Sequence, residues 1–409
     1  MPVAAPVAKP AFLAPRLSLM MFLTYIVWSS WYVTIGTYLT QTLKFSGTEA
    51  GAIFGTTALS CMISPFFIGL VADRYFATER LLSALHLIGA VLLYLVATAR
   101  DFSTFYLYML AYCLCFFPTL ALTNSITLRN VANPATDYPR IRLFATIGHI
   151  VINLIVGWLA IERSNQTFFI ASCASVVMAL YCLTLPHTPP NARTETFSWR
   201  SAIGLDALVM LKDRSFAVFV VASVLACIPL AFYFSFTNAY LNEMGVTNAA
   251  GKMTLGQFAE IGMMLLMPWF FRKFSLKSIL LMGLGAWALR YAMLAYGNAN
   301  ELMWLFYGAI ILHGICFDFF FVTGLLYTDQ EAPPHLRGAA QGFVMFLTYG
   351  LGIFLGSNFS GWTIDFFTTP AGRDWKSFWL TSAGSALFLL LLLALFFHSK
   401  GKIQTKPQN

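Results

Sequence analysis

The sequence predicts an all-α integral membrane fold: twelve transmembrane helices in two pseudo-symmetric six-helix bundles. Three observations predict it. The composition is too apolar for water, the apolar runs have the length of a bilayer, and the basic residues gather in the short gaps between them. Hydrophobic residues make up 58% of the chain and charged residues 10%, with 39 Phe. A soluble domain carries roughly 25% charge. The apolar signal comes in long runs rather than alternating ten-residue strands, which excludes a β-barrel.

A spanning helix needs about 20 mostly apolar residues at 1.5 Å rise each. Such runs lie at 17–41, 50–72, 81–99, 103–127, 142–161, 167–185, 215–240, 252–271, 278–297, 302–327, 338–365 and 377–398. The run after Arg16 continues uncharged to Leu43, too long for a signal-peptide core, so it reads as the first span. The longest polar gap sets the expected organisation: an N-terminal six-helix bundle over 1–186, a cytoplasmic linker over 187–214 and a C-terminal six-helix bundle over 215–409. In the linker, Trp199, Ile203 and Leu211 recur at helical spacing among charges, which predicts a helix lying on the membrane surface.

An even number of spans puts both termini on one side. Seventeen Lys and Arg fall on that side, six on the other, and two, Arg142 and Arg290, inside spans. The bias predicts cytoplasmic termini. It also accounts for the net charge of +8 without a nucleic-acid partner. The seven cysteines all sit in apolar runs with no CxxC pair and read as packing residues. The sequence contains no GxxxxGK[ST], which argues against direct use of ATP, and no HExxH; no metal or cofactor is expected.

The two halves echo each other. Asp73-Arg74 with Arg80 follows span two, and Arg272-Lys273 with Lys277 follows span eight. Pro139-Arg140-Ile-Arg142 opens span five, and Pro334-His-Leu-Arg337 opens span eleven. The stretch Gly69-Leu-Val-Ala-Asp73-Arg74 with Arg80 resembles the loop signature of the major facilitator superfamily, which implies the major facilitator fold. A narrower resemblance covers most of the chain. Trp28-Ser-Ser-Trp31, Arg142-Leu-Phe-Ala-Thr146-Ile-Gly148, Gly204-Leu-Asp-Ala207, Gln257-Phe-Ala-Glu260, Trp287-Ala-Leu-Arg290 and Phe317-Asp318-Phe-Phe320 look like the bacterial nucleoside:proton symporter family. That resemblance implies a multi-pass protein of the bacterial inner membrane that imports nucleosides with protons; a monomer is expected.

Ionisable groups inside spans are costly and therefore candidates for function. Gln257 and Glu260 stand at i, i+3 on one face. An amide beside a carboxylate can hydrogen-bond sugar hydroxyls or base edges, and a carboxylate in a poorly hydrated cavity can exchange a proton near neutral pH. The plainer alternative is a Gln–Glu pair tying helices together. Arg142, Thr146 and His149 share a face of span five; Arg142 either meets substrate or snorkels to the interface, and His149 either reads substrate or packs. The resemblance places Arg142, Thr146, Gln257 and Glu260 in a substrate cavity.

His313 and Phe317, at i, i+4, read as a cavity-lining pair. Asp318 is about 140° from His313 around the helix and is expected to pair with Arg290, as a coupling site beside Glu260 or as a structural ion pair. The family pattern has an aromatic residue in place of His149, a tyrosine in place of His313, and amides in span seven where this chain has Ala231-Phe-Tyr233-Phe234. Tyr233 can supply a hydroxyl and a stacking face, or can be lipid-facing bulk. Pro229 is expected to kink that span. Gly69, Asp73, Arg74, Arg80 and Arg290 read as structural motif residues. The alternatives to nucleoside import are a major facilitator carrying another small solute, such as a sugar-like compound or an exported drug, and a polytopic enzyme, for which no acid–base–nucleophile cluster appears.

Overall fold

The computed structural model describes residues 12–67, 75–190 and 204–398. Gly69, Asp73 and Arg74 of the loop signature lie outside these residues, as does the linker segment 191–203. Arg80 is exposed at the start of its helix.

Twelve rods follow the predicted spans, nine of them, among the described residues, long and apolar enough to cross a membrane. They are α1 (Leu13–Thr42), α2 (Gly47–Phe67), α3 (Thr78–Thr98), α4 (Phe102–Asn130), α5 (Pro134–Trp158), α6 (Gln166–Cys182), α7 (Arg214–Glu243), α8 (Leu255–Lys273), α9 (Leu276–Tyr296), α10 (Met303–Glu331), α11 (Arg337–Phe366) and α12 (Trp375–Phe396). Polar caps decide where each rod begins. Ser46 and Glu49 satisfy each other's backbone N–H at the start of α2, at 3.1 and 2.8 Å, a reciprocal capping box. Asp101, Asp213, Ser275 and Asp374 accept from the N3 amides of α4, α7, α9 and α12, removing exposed donors from each helix end.

Two starts differ from the apolar runs. Asn133 caps Ala135 N with Pro134 at the first helical position, so α5 begins eight residues before the run that predicts it. Asn248 caps a short helix, Ala249–Met253, that leads into α8. The linker helix also differs. Its described part is a 3₁₀ segment, Leu205–Lys212, which turns Ala207 into a small apolar cluster with Ala340 and Phe343 of α11. Gly204 permits this: its φ is +68°, and a Cβ there would sit 2.1 Å from Ala339 O.

Helices α1–α6 pack on one another, α1 against α5 and α6, and α3 against α4 and α6. Helices α7–α12 do likewise, α7 against α11 and α12, and α9 against α10 and α12. The halves meet where α2 packs on α11, α1 on α7, and the α8 lead-in on α5. Small residues allow the closest approaches. A Cβ on Gly356 would come within 2.7 Å of the Cys227 carbonyl on α7, and one on Gly51 within 2.4 Å of Ser357 O on α11. Leucines and aromatics such as Leu265, Trp158, Leu395 and Phe388 face outward, as lipid requires.

Trp28 and Trp31 pack inside the N-terminal helices. Trp31 is buried and donates to Tyr112 Oη, while Trp28 stacks on Tyr32 and Phe116. His86 is a packing residue whose Nδ1 meets Ser175 Oγ between α3 and α6.

Candidate functional site

The site is built where α8 and α10 touch. Gly256 and Gly314 let their backbones close: a Cβ on Gly314 would lie 2.5 Å from the Ala259 backbone. That contact brings the Gln257/Glu260 face against His313. Glu260 Oε2 is 4.0 Å from His313 Nε2, with the Glu260 side chain 29% exposed and His313 3% exposed.

His313 is held from behind. Arg290 Nη1 donates to its Nδ1 at 3.0 Å. A guanidinium only donates, so Nδ1 is an acceptor and the proton of the neutral ring sits on Nε2, the nitrogen that faces Glu260. The Arg290 guanidinium lies 3.4 Å from the Tyr233 ring centroid, and Tyr233 in turn stacks on His313 at 5.4 Å and 18°. Phe317 packs on the same imidazole at 5.8 Å. Tyr233 is thus buried rather than lipid-facing, and one face of its ring is already occupied.

Two expectations change here. Arg290, 0% exposed, is a member of this cluster rather than a remote motif residue. It does not pair with Asp318, whose two carboxylate oxygens are buried without a hydrogen-bond partner among the described residues. The reason is geometric. Arg290 reaches the His313 face of α10, and Asp318 is displaced around the helix, at the first residue of a π-helical widening, Asp318–Val322. Asp318 lies within electrostatic reach of Glu260.

The opposite wall comes from α5. A Cβ on Gly148 would lie 2.6 Å from Phe22 O, so α1 and α5 run close and α1 supplies partners. Arg142 Nη2 donates to Tyr25 Oη at 2.6 Å, and its guanidinium lies 4.7 Å from the same ring. His149 Nδ1 meets Ser29 Oγ at 2.6 Å. Thr146 is half-buried and makes no hydrogen bond among the described residues. Arg142 is within electrostatic reach of Glu260 across the gap between the halves.

A cavity of about 410 Å³ of empty space, part of it open, lies between the halves. Tyr32, Val33, His149 and Asn153 line it on one side, and Tyr233, Phe234, Ala250, Met253, Thr254 and Gln257 on the other. Tyr25, Tyr32 and Asn153 are absent from the residues singled out by sequence, and Ser29 figures there only within the Trp28–Trp31 motif. Their signal is periodicity: Tyr25, Ser29 and Tyr32 share a face of α1, and Asn153 continues the His149 face of α5.

Among the described residues, hydrogen bonds that join the halves gather at the end away from the chain termini. Glu162, after α5, accepts from Asn238 Nδ2 at 2.8 Å, Asn242 Nδ2 at 2.6 Å and Ala250 N at 3.0 Å. Thr37 Oγ1 donates to Asn238 Oδ1 at 2.5 Å, and the Asp365 carboxylate accepts from Gly47 N and Thr48 N at 2.6 and 2.7 Å.

The comparisons with known proteins agree with this architecture. Residues 12–402 match the family described as Nucleoside H+ symporter. The transporter YegT of Escherichia coli is 37% identical over 397 residues, 93% of each chain. The xanthosine permease of Escherichia coli is 34% identical, over 96% of this chain and 98% of the permease. The crystal structure of the nucleoside transporter NupG superposes with a TM-score of 0.88 at 30% identity, covering 95% of this chain and 100% of that one. The fold is therefore the major facilitator fold, a multi-pass membrane transporter of twelve helices in two six-helix bundles, and the chain belongs to the nucleoside:proton symporter family.

Proposed function

We propose that this protein imports nucleosides together with protons across the bacterial inner membrane by alternating access. One observation carries the reading. The Glu260 carboxylate sits at the seam between the halves, with His313 of its own half at 4.0 Å and Arg142 of the other within electrostatic reach. A proton on Glu260 changes the charge felt by both walls at once, so proton binding, substrate binding and the relative position of the halves become linked.

Residues 1–186 and 215–409 act as the two rocking bodies, joined by the linker 187–214. Substrate lies between Arg142, Thr146 and His149 on one side and Tyr233, Gln257, Glu260, His313 and Phe317 on the other. Asp318, buried and unpaired near Glu260, is a second stop for the proton. The excess of Lys and Arg on the terminal side supports cytoplasmic termini. With that orientation the Glu162 and Asp365 contacts seal the outer end, and the transporter functions as a monomer within the lipid bilayer. One charge moving through 100 mV is worth about 2.3 kcal/mol, or roughly fifty-fold accumulation.

Uptake of labelled uridine into energised membrane vesicles tests the proposal. Uptake is concentrative, competed by unlabelled nucleosides but not by plain sugars, and collapsed by an uncoupler. Uptake that ignores the uncoupler contradicts proton coupling, and competition by sugars alone contradicts the substrate class.

A further inference from the structure

Asn153 lines the cavity between the halves one helical turn beyond His149, and it is 1% exposed. Its Nδ2 donates to the His149 carbonyl at 2.8 Å. A carbonyl only accepts, so this bond fixes which way the amide points and leaves Oδ1 as its free end. Oδ1 has no hydrogen-bond partner among the described residues. A buried carbonyl oxygen without a donor is costly, and folded proteins nearly always supply one.

The surroundings describe the missing donor. His149 lines the same cavity with its Nδ1 already engaged by Ser29 Oγ, which leaves Nε2 as its other polar atom. Gln257 also lines it, and its side-chain amide makes no hydrogen bond among the described residues. Tyr32 and Phe234 also line it and touch each other, their ring centroids 6.1 Å apart with the planes tilted by 58°. A bare acceptor with donor-capable groups nearby, beside aromatic rings, complements a flat heterocycle with a ring N–H next to a carbonyl.

We propose that Asn153 Oδ1 accepts the ring N–H of the nucleobase, so that the transporter selects nucleosides with an N–H beside a carbonyl, as in uridine and inosine. Cytidine and adenosine place a ring nitrogen lone pair at that edge, and two acceptors face to face repel. The proposal rests on the reading of the chain as a nucleoside importer, and it names Asn153 as the residue that sets which nucleosides enter.

The test compares uridine with 3-methyluridine, and inosine with 1-methylinosine, as competitors of labelled uridine uptake in vesicles. In the wild type the methylated competitor is weaker by about tenfold or more, as loss of a buried hydrogen bond implies. Asn153→Ala brings each pair to within about twofold, chiefly by weakening the unmethylated member. An unchanged ratio in Asn153→Ala overturns the role of Asn153 while the nucleoside reading stands. Absence of any nucleoside uptake by the wild type overturns both. Should Asn153→Ala not yield folded protein, the wild type decides alone: equal competition by uridine and 3-methyluridine overturns the proposal.

Discussion

Arg290 Nη1 donates to His313 Nδ1 at 3.0 Å, deep inside the C-terminal helices. The bond sets the tautomer of the histidine and aims its Nε2–H at Glu260. It also explains how this chain places a histidine in a buried position without an acidic partner close enough for a short hydrogen bond. The arginine occupies the ring's Nδ1, and the Tyr233 ring covers the guanidinium, 3.4 Å from its centroid.

Arg290→Lys keeps a cation but loses the planar fork and the stacking on Tyr233. A buried cation–π contact is worth about 2 kcal/mol, so the melting temperature of the purified variant falls by several degrees. Uptake falls by about tenfold, because a lysine does not fix both the ring orientation and the tautomer of His313. A melting curve and an uptake rate equal to wild type contradict the assignment.

Glu162 accepts three hydrogen bonds from the other half. Hydrogen bonds to a charged group contribute roughly 1.5–3 kcal/mol each. Glu162→Ala therefore loosens the end away from the termini and shifts the population toward the state open there. Labelling of a cysteine introduced at Val33, which lines the cavity, by an impermeant thiol reagent rises several-fold over the wild-type background. Unchanged labelling means that the other contacts hold that end closed by themselves.

Gly356 is pressed against the α7 backbone, whereas a Cβ on Gly262 meets nothing within 4 Å. Gly356→Val costs about 1–3 kcal/mol by overpacking, and thermal denaturation in detergent shows a lowered midpoint. Gly262→Val serves as the control and leaves the midpoint unchanged. Equal behaviour of the two variants argues against tight α7–α11 packing.

The twelve rods were legible because a bilayer imposes one length and one polarity on every span. The start of α5 was not, since Asn133 and Pro134 begin the helix in polar residues that carry no apolar signal, and neither was the separate short helix that Asn248 caps ahead of α8. The i, i+3 and i, i+4 faces of Gln257/Glu260 and His313/Phe317 were legible from helical periodicity alone. What faces them was not. Whether Arg290 turns to His313 or to Asp318 depends on how α9 and α10 are rotated against each other, and the Gly256 and Gly314 contacts set the α8–α10 approach through tertiary packing. Glu162 sits in a loop, where a charged residue is unremarkable until its three donors are seen.

The most direct measurement is concentrative uptake of labelled uridine by Glu260→Gln in energised vesicles, alongside uridine exchange between two uridine-loaded compartments. A glutamine keeps the shape of the side chain and removes the proton site. The account predicts that accumulation against a gradient is lost while exchange persists. Accumulation at the wild-type level, collapsed by an uncoupler as in the wild type, would contradict the placement of the coupling proton on Glu260.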